Sequence, residues 1–172
     1  MRNRLYELLV EGDKRTVKYV DTAVQLLKTH PDLVQYAIAL MRDESAAVAM
    51  RAADCLEKFS RDNANKLQPY AKDLVDILTS NSQQEVRWHL AQILPKLKLS
   101  SKDISRAADI WLSDFYNAKS SIVRTESLQA LYEIKEVYPE ILPDLKHAIA
   151  EGLEHGTPAV KARARKLSGA LL

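Results

Sequence analysis

The sequence predicts an all-α protein, a right-handed α-solenoid of about five helical hairpins and ten helices, and three observations carry that prediction. Apolar residues recur at helical spacing and not at the alternation of strands. A unit of 37–38 residues repeats four times. Prolines and short polar segments punctuate the units at matching places.

Composition agrees with helices. The 172 residues include 47% hydrophobic and 28% charged residues, with only 4 Gly and 6 Pro. That balance suits a folded chain able to bury a core without disulfides or metals. No apolar run approaches the length of a membrane span, and the N-terminal stretch lacks the apolar segment of a secretory leader. The single cysteine, Cys55, has no partner for an internal disulfide. A cytoplasmic location is expected on that basis.

The period is read from four valines. Val48, Val86, Val123 and Val160 are 38, 37 and 37 residues apart. Pro31, Pro69 and Pro143 precede three of them by 17 residues, and Arg106 holds that place in the remaining unit. From each valine, offsets 0, 4, 7, 8 and 11 are mostly apolar: Ala52, Cys55, Leu56 and Phe59 in the first unit, Leu90, Ile93, Leu94 and Leu97 in the next. Those offsets share one side of a helix with 3.6 residues per turn. Each unit is thus expected to hold a first helix opening near the proline and a second helix opening near the valine. First-helix stripes are Leu33, Ala37 and Leu40; Leu74, Val75 and Leu78; Ile104 to Phe115, with Trp111 inside; and Ile141, Leu145, Ile149 and Leu153. Ser45, Ser82, Ser120 and Thr157 are the expected N-caps of the second helices.

Residues 1–30 depart from the pattern. Arg2–Val10 and Asp13–Lys28 read as two helices without the repeated proline and valine, as expected of an irregular capping hairpin with one face toward water. The whole chain, 1–172, is therefore expected to be a single domain, residues 31–172 forming four repeats behind that cap.

Over about residues 31–172 the chain resembles the HEAT repeat family. The residues carrying the resemblance are Leu67-Gln68-Pro69-Tyr70 and Leu142-Pro143-Asp144-Leu145 in first helices, and Glu85-Val86-Arg87, Ile122-Val123-Arg124 and Thr157-Pro158-Ala159-Val160-Lys161 in second helices. The family's second helix opens with an Asp-Pro-x-Val-Arg pattern whose Asp and Arg form a polar ladder between repeats. Ser45, Gln83, Ser120 and Thr157 stand at the Asp position here and Ala49 replaces the first Arg, so the resemblance implies an incomplete ladder. Tetratricopeptide and ankyrin periods and signatures do not fit. The period is slightly short for HEAT, which leaves armadillo-like helical repeats open.

No catalytic pattern stands out. His30, His89, His147 and His155 lie apart in sequence, without metal-ligand spacing, and no phosphate-cradling loop or nucleophile elbow is present. No catalytic residue, metal or cofactor is assigned, and the expectation is a binding module and not an enzyme. By resemblance, second helices line a concave face, and offsets 2, 6 and 9 from each valine point away from the apolar stripe. The expected partner-binding residues are Met50, Asp54, Trp88, Gln92, Gln129, Tyr132, Arg163 and Lys166. Trp88 either anchors a partner or folds into the groove between repeats. Charge along this face runs from Asp54 and Glu57 to Arg163, Arg165 and Lys166, which reads either as a dipolar groove or as a solvated last helix. The expected partner is a protein or peptide. Nucleic acid, gripped by Arg87, Arg124, Lys161, Arg163 and Arg165, is the alternative, disfavoured by a net charge of only 25 − 23 = +2. A membrane partner is not expected. The apolar end Gly169–Leu172 is expected to pack on the preceding hairpin, a second subunit or a continuation of the array. Oligomeric state is left open.

Overall fold

The structure, a computed structural model, describes residues 1–11 and 19–171, with side chains to 170. The expected helix Asp13–Lys28 thus lies partly outside the described residues. The chain divides into two compact units, Met1–Lys98 and Leu99–Leu172.

In the first unit, α1 (Arg2–Val10) and α2 (Val20–Thr29) precede a 3₁₀ turn at Pro31–Leu33 and α3 (Val34–Leu40). The long α4 (Ala46–Leu67), a 3₁₀ turn at Gln68–Tyr70, α5 (Ala71–Ser80), α6 (Gln84–Ile93) and a 3₁₀ turn at Leu94–Lys96 follow. The second unit holds α7 (Ser101–Asn117), α8 (Ser121–Glu133), a 3₁₀ turn at Pro139–Ile141, α9 (Leu142–His155) and α10 (Pro158–Leu171). No strand occurs among the described residues.

Hairpin partners pack as the period requires. In the first unit α3 lies on α4 and α5 on α6, and α4 also packs against α2 and α6. In the second, α7 lies on α8 and α9 on α10, while α8 packs against α10. All four repeat valines are buried, none more than 2% exposed, so the expected register holds. Each buried Val or Leu contributes about 1.5–3 kcal/mol relative to exposure. Trp111 and Phe115 are fully buried and fill the core of the second unit.

The prolines start first helices without breaking them. Pro31, Pro69 and Pro139 fall within the first two positions of 3₁₀ turns, and Pro143 does so in α9. A residue there has no intrahelical N–H bond to lose. Two of the four expected caps close as side-chain bonds. Ser120 accepts from the Val123 amide and Thr157 from the Val160 amide, both at 3.4 Å. Ser45 occupies the N-cap of α4 without a side-chain bond, and α6 is capped by Gln83 and not Ser82. There Asn81 Oδ1 accepts from the Gln83 amide, a local turn that moves the helix start one residue on.

Three departures have clear causes. The third unit's first helix begins five residues before Arg106, because Ser100 accepts from the Asp103 amide at 3.1 Å and supplies a cap the period did not signal. Leu153 is 36% exposed, outside its stripe. Each step of four residues from Leu145 overshoots a full turn by about 40°, which carries Leu153 toward solvent. Finally, α4 continues to Leu67 through a kink at Asn63, whose side chain donates to Phe59 O. The helix bends there and continues.

Candidate interaction surface

The eight expected binding residues occupy second helices, as the register dictates. Met50 and Asp54 lie on α4, Trp88 and Gln92 on α6, all four half-buried. In the other unit Gln129 and Tyr132 lie on α8 and Arg163 on α10, each half-buried, and Lys166 on α10 is exposed. Two outward assignments need correcting. Glu57 is only 6% exposed and Thr125 only 9%. The angular arithmetic assumed one buried stripe, whereas α4 is flanked by α2 and α6, and α8 by α7 and α10, so the flanks close as well.

In the first unit charged groups gather on α4 and on the turn that follows α6. Arg61 Nη2 lies 2.7 Å from Glu57 Oε2, and Lys96 Nζ reaches Glu57 Oε1 at 3.4 Å and donates to Ser60 Oγ at 3.0 Å. Burial alone would raise the Glu57 carboxyl, but the bonds from Arg61 and the charge of Lys96 outweigh it and hold it below the ordinary carboxylate range. Lys58 pairs with Asp54 at 3.5 Å and Asp21 at 3.1 Å. Beside them, burial pulls His89 below the ordinary imidazole value. Its Nδ1 is buried without a hydrogen-bond partner among the described residues. Ligand-type atoms of Asp54, Glu57 and His89 all lie within 4.8 Å of one another. Sequence spacing carries no signal for this trio, because its members come from two helices. Both carboxylates are already neutralised by Lys58, Arg61 and Lys96, so a divalent cation there would face three neighbouring positive charges. The arrangement reads as a balanced polar joint between two helices. Cys55, next to it, is fully buried, its thiol pushed up to about 12 by burial and the charge of Asp54. It packs as a small core side chain, as expected.

In the second unit Arg163 donates to Gln129 Oε1 at 2.8 Å and meets Glu126 at 3.4 Å, tying α10 to α8. Tyr132 donates to Ala170 O at 3.3 Å, and Lys135 Nζ sits 4.0 Å from the centre of its ring. Three of the five cations assigned to nucleic acid are engaged within the chain. Arg87 donates to Asn81 O, Arg124 Nε to Phe115 O at 2.8 Å, and Arg163 as described.

A family model described as HEAT repeat domain matches residues 2–171. The chain belongs to the HEAT repeat family. No curated protein and no solved structure matches it. HEAT repeats generally mediate protein–protein interaction, and the family is typically a non-enzymatic scaffold. The match also takes in the irregular first hairpin.

The HEAT polar ladder takes an altered form here. Arg87 and Arg124, at the basic position after the repeat valine, each grip a carbonyl at or near the end of the preceding first helix. Where Ala49 replaces that residue, Arg51 supplies the charge from two residues further on. It is 1% exposed, with Nη1 2.7 Å from Leu9 O and 3.2 Å from Val10 O at the end of α1. A cation suits the negative end of a helix dipole. At the missing Asp position, Gln83 Nε2 donates to Ala46 O at 2.7 Å and Asn81 Nδ2 to Met41 O at 3.0 Å. Ser121 and Thr157 share a 2.6 Å hydroxyl bond. These ties were not legible from the family pattern, because their acceptors include backbone atoms. Among the described residues no helix is long and apolar enough to cross a membrane.

Proposed function

We propose that this chain is a protein-interaction or scaffold module whose second helices present the binding face. In the first unit that face is Met50, Asp54, Trp88 and Gln92; in the second it is Gln129, Tyr132, Arg163 and Lys166. The right-handed solenoid expected from the repeat register would make this face concave, an architecture that solution scattering tests. We also place the chain in the cytoplasm, where a single reduced thiol such as Cys55 is stable.

The observation that supports the reading most is Trp88. The core tryptophan Trp111 is fully buried, whereas Trp88 on α6 stays half open. Its ring stands 5.6 Å from that of His89, tilted at 57°. A large aromatic in this state presents apolar area that a partner can finish covering, the usual profile of an interface anchor. Asp54 and Gln92 offer polar groups on the same two helices.

The test is capture from the source cell by immobilised protein, with Trp88→Ala and Tyr132→Ala compared to wild type. Loss of retained proteins at unchanged far-ultraviolet circular dichroism supports the reading. Identical retention by folded variants refutes the assigned face.

A further inference from the structure

The cations of α10 are distributed unlike those of the rest of the chain. Lys161, Arg163, Arg165 and Lys166 give the helix four positive charges, and Pro158–Leu171 contains no acidic residue. Since the whole chain carries +2, the remainder carries 2 − 4 = −2. The excess positive charge is therefore gathered on one helix. Among the described residues, Arg163 is the one of the four whose side chain is engaged, through Glu126 and Gln129. The side chains of Lys161, Arg165 and Lys166 make no ion pair or hydrogen bond among the described residues.

Their placement is ordered. Val160, Ala164 and Leu167 are buried and fix which side of α10 faces the core. At 100° per residue, Arg165 then lies close to the outward ridge, with Lys161 and Lys166 on its two flanks. Ala162 and Gly169 fall along the same ridge and are exposed, and a side chain at Gly169 would meet open space. The ridge is thus low between its cations. From Lys161 to Lys166 the rise is about 7.5 Å at 1.5 Å per residue. Lys161 and Arg165 are spaced i, i+4, with Cβ atoms about 5–6 Å apart, the same spacing as i, i+4 carboxylates on a facing helix.

We propose that the outward ridge of α10 docks an acidic α-helical segment of a partner protein, through Lys161, Arg165 and Lys166. This rests on the protein-interaction reading above and specifies the partner's chemistry. Three free cations within one and a half turns match two or three carboxylates on one helical face. A duplex backbone presents a longer line of phosphates and is normally met by more cations, of which Arg87, Arg124 and Arg163 are committed inside the chain.

The test uses the full chain and its Lys161→Glu/Arg165→Glu/Lys166→Glu variant. The probes are a fluorescent alanine-based helical peptide of about 20 residues with glutamate pairs at i, i+4, its lysine counterpart, and a duplex DNA of similar length. At low salt the glutamate peptide binds wild type at least tenfold more tightly than the variant, the lysine peptide does not bind, and DNA binds more weakly than the glutamate peptide. Circular dichroism shows the variant folded. Absence of glutamate-peptide binding, equal binding by the variant, or tighter binding of DNA overturns the proposal. Capture from the source cell separates the two levels. If the variant retains the same proteins as wild type, the α10 assignment fails while protein binding stands; if wild type itself retains nothing, the wider reading fails as well.

Discussion

Replacing Arg51 with methionine isolates the charged bracket that holds α1 against α4. The side chain is 1% exposed and its guanidinium donates to Leu9 O at 2.7 Å and Val10 O at 3.2 Å. A hydrogen bond from a charged donor contributes about 1.5–3 kcal/mol, and a carbonyl left buried without its donor costs about 1–3 kcal/mol. Against this stands the relief of no longer burying a guanidinium, which on replacement by an apolar side chain recovers several kcal/mol in some proteins. Leu9 is fully buried, so water cannot take over its carbonyl without α1 moving. The loss therefore outweighs the relief, and Arg51→Met should destabilise the first unit by about 2–3 kcal/mol. With a urea slope of about 2 kcal/mol/M, the midpoint falls by about 1–1.5 M. Arg51→Lys should fall between the two, since an ammonium keeps the charge but not the planar fork. The assay is equilibrium urea unfolding followed at 222 nm, with hydrogen exchange of the α1 amides as the local readout. A methionine variant as stable as wild type, with α1 amides equally protected, refutes the bracket.

Other expectations follow from the same joints. His89, whose folded value lies below 6.5, takes up a proton more readily when unfolded, so stability falls as pH drops below about 6.5. His89→Asn should flatten the stability curve in that window, as read from urea midpoints between pH 5 and 8. Glu57 is also held below its ordinary value of 4.5, so its contribution is present above about pH 4.5 and is lost as pH falls through its folded value; Glu57→Gln should remove that acid limb. Cys55, pushed up to about 12, should resist Ellman's reagent at pH 8 in the folded chain and react at once in urea. A Cβ at Gly156 would lie 2.7 Å from Val160 Cγ1 and also strike Gly152 O, so Gly156→Ala should cost the second unit about 1–3 kcal/mol in thermal unfolding.

The core was legible because the repeat reports on it directly. Burial selects Val, Leu and Ala at fixed offsets, and Val48, Val86, Val123 and Val160 all proved buried. The polar joints were not legible for a different reason. Glu57 was placed outward because a lone helix has one buried stripe, and only packing of α2 and α6 on both flanks of α4 reverses that. Arg51 carries no signal in the family pattern, since it stands two residues past the expected basic position. The trio Asp54, Glu57 and His89 needs the α4–α6 pairing before it exists at all. Ser100 showed the limit of reasoning by period: its cap extends α7 beyond the place where Arg106 marked a first helix.

Three of the bonds that tie hairpin to hairpin in the first unit share one property with a consequence for descent. Arg51, Asn81 and Gln83 all close on main-chain oxygens, those of Leu9, Met41 and Ala46. Every residue type owns such an oxygen. A substitution at the receiving position cannot delete the acceptor, so one half of each link is indifferent to mutation and only the donor must be kept. Lineages built this way can drift in sequence far faster than in shape.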